Sequence, residues 1–204
     1  RKVINKAKND GLSATLQTVV ARLDKPLPLG YSAMGEITAI GAGLEGTYRV
    51  GQRVAIAGAG VANHAEFNAV PNNLLAAVPQ DINDEEASFA TVGAIAMHAV
   101  RNLNAALGDI VAVIGCGLIG QLACQFLTLS GVRIVALDYN TSRLELAHTL
   151  GAEITKNLAN EGVVAEVREI TAGRGCDGII IAAATESSEP YMTAAELARD
   201  RAGV

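Results

Sequence analysis

The stretch VAVIGCGLIG, residues 111–120, decides the fold of this chain. Its apolar start predicts a buried strand, and three glycines follow with the spacing Gly-x-Gly-x-x-Gly at Gly115, Gly117 and Gly120. A helical pattern with one apolar face comes next, over residues 118–130. Because a strand, this glycine spacing and a helix occur in that order, the stretch is typical of a loop that binds a dinucleotide.

Each glycine of this loop has a distinct predicted task. Gly115 permits the tight turn, Gly117 lets the backbone approach a pyrophosphate, and Gly120 allows the helix to pack closely on the strand. The first backbone N–H groups of the helix are free and carry partial positive charge, which suits a phosphate. Leu118 and Ile119 therefore join the three glycines as candidate cofactor-binding residues. The alternative is a glycine turn in a parallel sheet that binds no ligand.

The second predicted strand ends at Asp138, 18 residues after Gly120. A carboxylate at this place accepts hydrogen bonds from the ribose hydroxyls of adenosine and repels a 2′-phosphate, so Asp138 favours NAD over NADP. Arg143 lies five residues further on, at the start of the next predicted helix. It is either a ribose contact, which works against that preference, or a surface charge.

Strands and helices alternate through the second half of the chain. The predicted strands are 110–114, 132–137, 153–155 and 178–183, and the predicted helices are 118–130, 142–150, 161–171 and 190–199. This alternation predicts an α/β fold with βαβ units and a doubly wound parallel sheet.

The first half of the chain has a different pattern. Residues 2–24 are predicted to be helical and residues 81–104 form a second helical stretch. Between them, short strands are predicted at 36–40, 54–57 and 65–70, separated by glycine turns. This region is expected to be a small barrel or sandwich.

Composition excludes several classes of protein. The chain has 204 residues, of which 50% are hydrophobic and 18% charged, and its net charge is −5. Disorder is therefore excluded, and no dense run of Lys and Arg is present to follow a nucleic-acid backbone. No apolar run reaches the roughly 20 residues of a membrane span. Three cysteines without paired spacing predict a reducing, cytoplasmic location rather than a disulfide framework.

Four stretches resemble the medium-chain dehydrogenase/reductases, the zinc-type alcohol dehydrogenase superfamily. They are GYSAMGEI at 30–37, VGQRV at 50–54, AEF at 65–67 and the glycine loop with Asp138. The resemblance covers residues 26–204 and implies an incomplete GroES-like β domain over 26–92. It also implies an NAD-binding Rossmann domain over 93–204, with about four of six strands present.

The predicted helical segment 1–25 and the stretch PLPLGY are similar to the bi-domain oxidoreductases of bacterial polysaccharide synthesis. That likeness implies that the chain is a fragment lacking both ends. It also implies a second oxidoreductase domain fused to the full-length protein.

The zinc positions of the family are changed in this chain. Tyr31 stands where the resemblance places a zinc-binding His, and Ala90 stands where it places a zinc-binding Cys. A catalytic zinc needs about three protein ligands, so we predict no metal. Two residues remain as candidate catalytic groups. His64 is either a general acid–base or a polar surface residue, and Tyr31 is either a proton donor or a packing residue.

Ala183 and Thr185 end the fourth predicted strand, where the resemblance places the nicotinamide end of the cofactor, and both are candidate cofactor contacts. Three functions remain open. The favoured one is an NAD-dependent, zinc-free dehydrogenase that acts on a hydroxyl or ketone, such as a sugar or nucleotide sugar. The others are an NADPH-dependent quinone or enoyl reductase and a non-catalytic dinucleotide-binding module of a larger protein.

Overall fold

The structure, a computed structural model, describes residues 28–204, so the predicted helical segment 1–25 lies outside the described residues. The chain divides into two compact units between Phe89 and Ala90. We call the described residues 28–89 the small unit and residues 90–204 the large unit. The boundary predicted after residue 92 falls inside a helix that begins at Ala90. In the described part of the chain, no helix has both the length and the apolar character needed to cross a membrane.

The small unit contains one antiparallel sheet. Its elements are β1 (Ser32–Glu36), β2 (Arg53–Ala57), a 3-10 helix (Asn72–Leu74), β3 (Leu75–Ala77) and α1 (Asp84–Ser88). The strands lie in the order β1-β2-β3, with Met34 opposite Ala55 and Ile56 opposite Leu75. The buried core of this sheet is small and consists of Val54, Ile56 and Ala62.

Two of the strands predicted for this unit are wrong. The first lies at Ser32–Glu36 rather than at 36–40. Its pairing with β2 ends at Glu36, opposite Arg53, and beyond it the backbone of Ile37 bonds Gly51 and Gln52, which precede β2. Residues 65–70 form a loop and not a strand. The side chain of Asn68 binds both the N–H and the C=O of Asn63, and these two bonds close the loop in place of a strand ladder.

The helical stretch predicted at 81–104 is two helices. Asn83 and Glu86 form a capping box at the start of α1, each side chain bonding the other residue's backbone N–H, and this fixes where the helix begins. The helix ends at Ser88, and α2 begins at Ala90 in the large unit.

The large unit is a parallel sheet flanked by helices. Its strands are β4 (Ile110–Ile114), β5 (Arg133–Asp138), β6 (Ile154–Asn157), β7 (Cys176–Ile181) and β8 (Ala198–Gly203). Its helices are α2 (Ala90–Leu103), α3 (Leu118–Leu129), α4 (Thr141–Thr149), α5 (Val163–Ile170) and α6 (Glu189–Leu197). All neighbouring strands run parallel, in the order β6-β5-β4-β7-β8.

This strand order is that of the first five strands of a Rossmann fold, so the predicted fold class is confirmed. The sheet has five strands rather than about four, because residues 198–203 form β8, of which only 198 and 199 were predicted as the end of a helix. Apart from the start of α2, the other strands and the helices of this unit lie within three residues of their predicted bounds.

The central strand β4 is covered on both faces. Successive side chains of a strand point to opposite faces. Val111 and Val113 belong to the core on one face, with Leu127 of α3. Ile110, Ala112 and Ile114 belong to the core on the other, with Leu197 of α6. Because both faces are covered, every residue of β4 is buried and apolar.

Candidate functional site

The glycine loop connects β4 to α3 in the large unit. Gly115 follows β4 with φ +93°, a left-handed conformation that favours glycine. A Cβ at this position would lie 2.7 Å from the backbone nitrogen of Ala183, which follows β7. Gly115 is therefore required twice over, by its backbone conformation and by the close approach of the chain after β7.

The other two glycines of the loop have opposite surroundings. A Cβ at Gly120 would overlap the carbonyl oxygen of Gly115, so this glycine permits the close packing of α3 on the end of β4. A Cβ at Gly117, the residue that caps α3, would meet no atom within 4 Å. The packing of the described residues therefore leaves open space next to the backbone of Gly117.

The first turn of α3 presents free hydrogen-bond donors beside this space. Within the described residues, the backbone N–H groups of Leu118, Ile119 and Gly120 donate no hydrogen bond. Gln121 is the first residue of the helix whose N–H finds an acceptor, the carbonyl of Gly117 at 2.8 Å. Three free N–H groups at a helix N-terminus, with room in front of them, suit a phosphate group.

Asp138 is the last residue of β5 and is buried next to the loop. Its Oδ2 accepts a hydrogen bond from the N–H of Cys116 at 2.7 Å, and its Oδ1 accepts one from the N–H of Asn140 at 2.8 Å. A carboxylate has about four lone-pair sites, so each oxygen keeps capacity for another donor, such as a ribose hydroxyl.

Arg143 approaches this carboxylate from the first turn of α4. Its Nη1 lies 3.8 Å from Oδ2 of Asp138, and its side chain is 56% exposed. The side chain of Asn140 caps α4 by accepting the N–H of Arg143 at 3.2 Å. The guanidinium therefore partly offsets the charge of Asp138, and more than half of the Arg143 side chain is exposed to solvent.

Gln121 is a residue that the sequence analysis missed. It is buried, and its side-chain amide donates to the carbonyl of Cys116 at 3.1 Å and to the carbonyl of Arg143 at 2.7 Å. Its Oε1 is buried and has no hydrogen-bond partner in the part of the chain that the structure describes. The sequence signal that could have indicated Gln121 is that it is a polar residue beside the apolar face of helix α3.

The thiol of Cys116, inside the loop, is buried. Burial raises its pKa to about 11, and the negative charge of Asp138 acts in the same direction. The thiol therefore stays protonated at neutral pH and packs as a small apolar group.

The chain after β7 contributes the remaining predicted cofactor residues. The backbone of Ala183 lies against Gly115, so the structure brings this residue to the loop. The hydroxyl of Thr185 is used locally, since it accepts the N–H of Ser187 at 3.1 Å. Beyond them, the hydroxyl of Tyr139 donates to Oε1 of Glu189 at 2.7 Å, which links the residue after β5 to the start of α6.

The two candidate catalytic residues lie in the small unit. The N–H of His64 donates to the carbonyl of Leu29 at 2.7 Å. The imidazole lies against Gly30, where a Cβ would come within 2.5 Å of Cδ2. His64 therefore lies next to Gly30, the residue that precedes Tyr31 in the sequence. The side chain of His64 is exposed and lines a cavity of about 560 Å³ within this unit. Tyr31 is also exposed, but it does not line this cavity.

The described residues do not fit a zinc site. Among residues 28–204, no group of three or more His, Cys, Asp or Glu side chains is placed to hold a metal ion. All three cysteines are buried, and none is near a set of ligands.

Comparison with known proteins gives consistent matches. The family profile described as zinc-binding dehydrogenase matches residues 119–200. (R,R)-butanediol dehydrogenase of Bacillus subtilis (strain 168) is 31% identical over 173 residues, 72% of this chain and 49% of that protein. D-guloside 3-dehydrogenase of Escherichia coli (strain K12) is 32% identical over 153 residues, 74% of this chain and 43% of that protein.

A solved structure supports the same relationship. The crystal structure of 2R,3R-butanediol dehydrogenase from Bacillus subtilis matches with a TM-score of 0.76 at 27% identity, over 91% of this chain and 60% of that one. This likeness confirms the predicted combination of a small GroES-like β domain with a Rossmann domain. The chain spans about half the length of the curated relatives that it matches.

Proposed function

Because the chain belongs to the medium-chain dehydrogenase/reductase superfamily, we propose that it is an NAD-dependent oxidoreductase without a catalytic zinc. When bound, the nicotinamide would exchange a hydride with a hydroxyl or ketone substrate. The residues of this chain would bind and orient the cofactor and move a proton. A cytoplasmic location is part of the proposal and rests on three free thiols.

One observation carries the choice of NAD. The carboxylate of Asp138 stands at the end of β5, held by the N–H of Cys116 from the glycine loop. In this fold an acid at that place bonds the ribose hydroxyls of adenosine and repels a 2′-phosphate. In the proposal, the free N–H groups of Leu118, Ile119 and Gly120 bind the pyrophosphate, and Ala183 and Thr185 lie further along the cofactor.

The proposed substrate is a small polyol, a sugar or a nucleotide sugar. This choice is supported by the names of two relatives, one a dehydrogenase of butanediol and the other of a D-guloside. Both names describe the oxidation of a secondary alcohol, so the chemistry they share is a hydroxyl and its ketone.

His64 and Tyr31 are the proposed proton-transfer groups. An imidazole is suited to take the proton of an alcohol, and a phenol is suited to polarise a ketone by donating to its oxygen. The exposed imidazole of His64 lines a cavity, so a small molecule has access to it. Tyr31 is supported only by its place in the sequence, where the family has a zinc ligand.

A second candidate function is supported by Arg143. Its guanidinium lies 3.8 Å from Asp138 and is more than half exposed, so it can turn toward a 2′-phosphate. The chain would then be an NADPH-dependent reductase of a quinone or an enoyl compound. The observed ion pair favours NAD, because a guanidinium that is paired with Asp138 is not available to bind a 2′-phosphate.

The test is a hydride-transfer assay with butanediol and a panel of sugars as probes, following the absorbance of the reduced nicotinamide. We expect activity with NAD to persist after dialysis against a chelator. His64→Ala should lower kcat by about 10²- to 10⁴-fold, the usual contribution of a general acid–base. His98→Ala is the matched control, because His98 lies in α2 and its ring contacts Asn102.

Loss of activity on chelation, or an unchanged kcat in His64→Ala, would contradict the corresponding part of the proposal. Binding of the cofactor without turnover of any probe favours the third function, a non-catalytic binding module.

A further inference from the structure

Four residues of the large unit form a closed ring of interactions around the glycine loop. The N–H of Cys116 donates to Asp138, and the side chain of Arg143 lies against the same carboxylate. The amide of Gln121 closes the ring, because it donates to the carbonyls of both Cys116 and Arg143. The ring therefore joins the loop, β5 and the start of α4 through one buried side chain.

The orientation of the Gln121 amide follows from its partners. Both neighbouring groups are carbonyl oxygens, so only the NH₂ end of the amide can face them. The oxygen end is then left buried without a partner in the described residues. An unpaired buried acceptor costs free energy, and the two donations to the loop and to α4 offset that cost.

Gln121 also binds the backbone of Arg143. The N–H of Arg143 is held by the Asn140 cap, and its carbonyl is held by Gln121, so the backbone of this residue is fixed on both sides. The guanidinium is exposed and makes no hydrogen bond in the described residues, so its place relative to Asp138 depends on that backbone.

We propose that Gln121 is a positioning residue for cofactor selectivity, because it holds α4 where Arg143 pairs with Asp138 rather than with a 2′-phosphate. This inference rests on the proposed dinucleotide function. It does not need Gln121 to touch the cofactor.

The test is a titration of NADH and NADPH into the wild-type chain, Gln121→Met and Gln125→Met, following nicotinamide fluorescence. Met has a similar length and helix propensity but cannot donate. Gln125 is the matched control, because it lies one turn further along α3 and its side chain donates to the carbonyl of Gln121 rather than to the loop or to α4. We expect Gln121→Met to narrow the ratio of the NADPH and NADH dissociation constants about fivefold, the scale of a partly exposed ion pair.

A double variant separates positioning from general damage to the fold. In an Arg143→Ala background, Gln121→Met should leave the ratio within about twofold, because the residue through which it acts is gone. A ratio in Gln121→Met that matches the wild type, or equal losses of both affinities, overturns the inference. The wild-type ratio by itself tests the proposed function, so the two failures are distinguishable. No binding of either cofactor to the wild type contradicts both.

Discussion

The two units of this chain differ in how completely their own residues surround their central strands. In the large unit, β4 has helices on both faces, and its five residues are buried in two cores. In the small unit, β2 is the only strand with buried residues among those described, and its core holds three small or medium side chains. The candidate cofactor-binding residues therefore lie in a densely packed unit, whereas the candidate catalytic residues of the small unit are exposed.

The largest expected difference concerns core substitutions. Leu137→Ala should lower the free energy of unfolding by about 4 kcal/mol, because this side chain of β5 is fully buried in the core that includes Val163 and Val167 of α5. Ile56→Ala should cost about 2 kcal/mol, because its surroundings in the small core can collapse or hydrate. Urea denaturation followed by circular dichroism measures both. Equal losses would show that the two cores are packed equally well.

The next difference separates binding from stability at a glycine. Gly117→Ala should weaken NADH binding about 100-fold, equal to about 2.7 kcal/mol, because a methyl group would occupy the space proposed for the pyrophosphate. Its effect on the free energy of unfolding should be no more than about 1 kcal/mol, since nothing lies within 4 Å and only the helix cap is weakened.

Gly35→Ala in the small unit is the matched control, because its Cβ would also meet open space. It should leave NADH binding unchanged. Retention of full affinity by Gly117→Ala would mean that the pyrophosphate does not approach the loop there.

A smaller effect depends on pH. Burial raises the pKa of Asp177, but hydrogen bonds from the N–H of Ile110 and from Arg199 outweigh it, so the pKa is lowered overall. Because the folded pKa is lowered, this carboxylate stabilises the fold above its unfolded pKa of about 3.9. That contribution is lost as the pH falls through the folded pKa.

Asp177→Asn should therefore lower the free energy of unfolding by about 1–2 kcal/mol at pH 7, and the difference from wild type should vanish in acid. Denaturation from pH 7 to about pH 2 measures this. In the small unit, Asp84→Asn breaks the surface pair with Arg53 and should cost at most about 0.5 kcal/mol. A difference for Asp177→Asn that stays constant down to low pH would contradict the assignment.

The sequence predicted the large unit well for a physical reason. Continuous apolar runs such as residues 110–114 are typical of a strand covered on both faces, and the glycine loop that follows located this strand. Residues 36–40 and 65–70 alternate like strands. Whether such a segment forms a strand or a loop depends on local contacts, such as the hydrogen bonds between Asn63 and Asn68. Such contacts have no periodic signal.

The candidate site shows the same division. The glycine loop and Asp138 were predicted because their spacing along the chain is fixed by the βαβ unit. Gln121 was missed because its partner Arg143 lies 22 residues away, and its role appears only when α3 and α4 are placed side by side. The catalytic roles of His64 and Tyr31 stay predictions.

The central claim is that Asp138 selects NAD, and one titration tests it most directly. NADH and NADPH are titrated into the wild-type chain and into Asp138→Ala, with nicotinamide fluorescence as the signal; the absence of Trp keeps the protein's contribution small. We predict that the wild type binds NADH more tightly than NADPH and that the variant narrows this difference. Tighter binding of NADPH by the wild type, or an unchanged ratio in Asp138→Ala, would contradict the account.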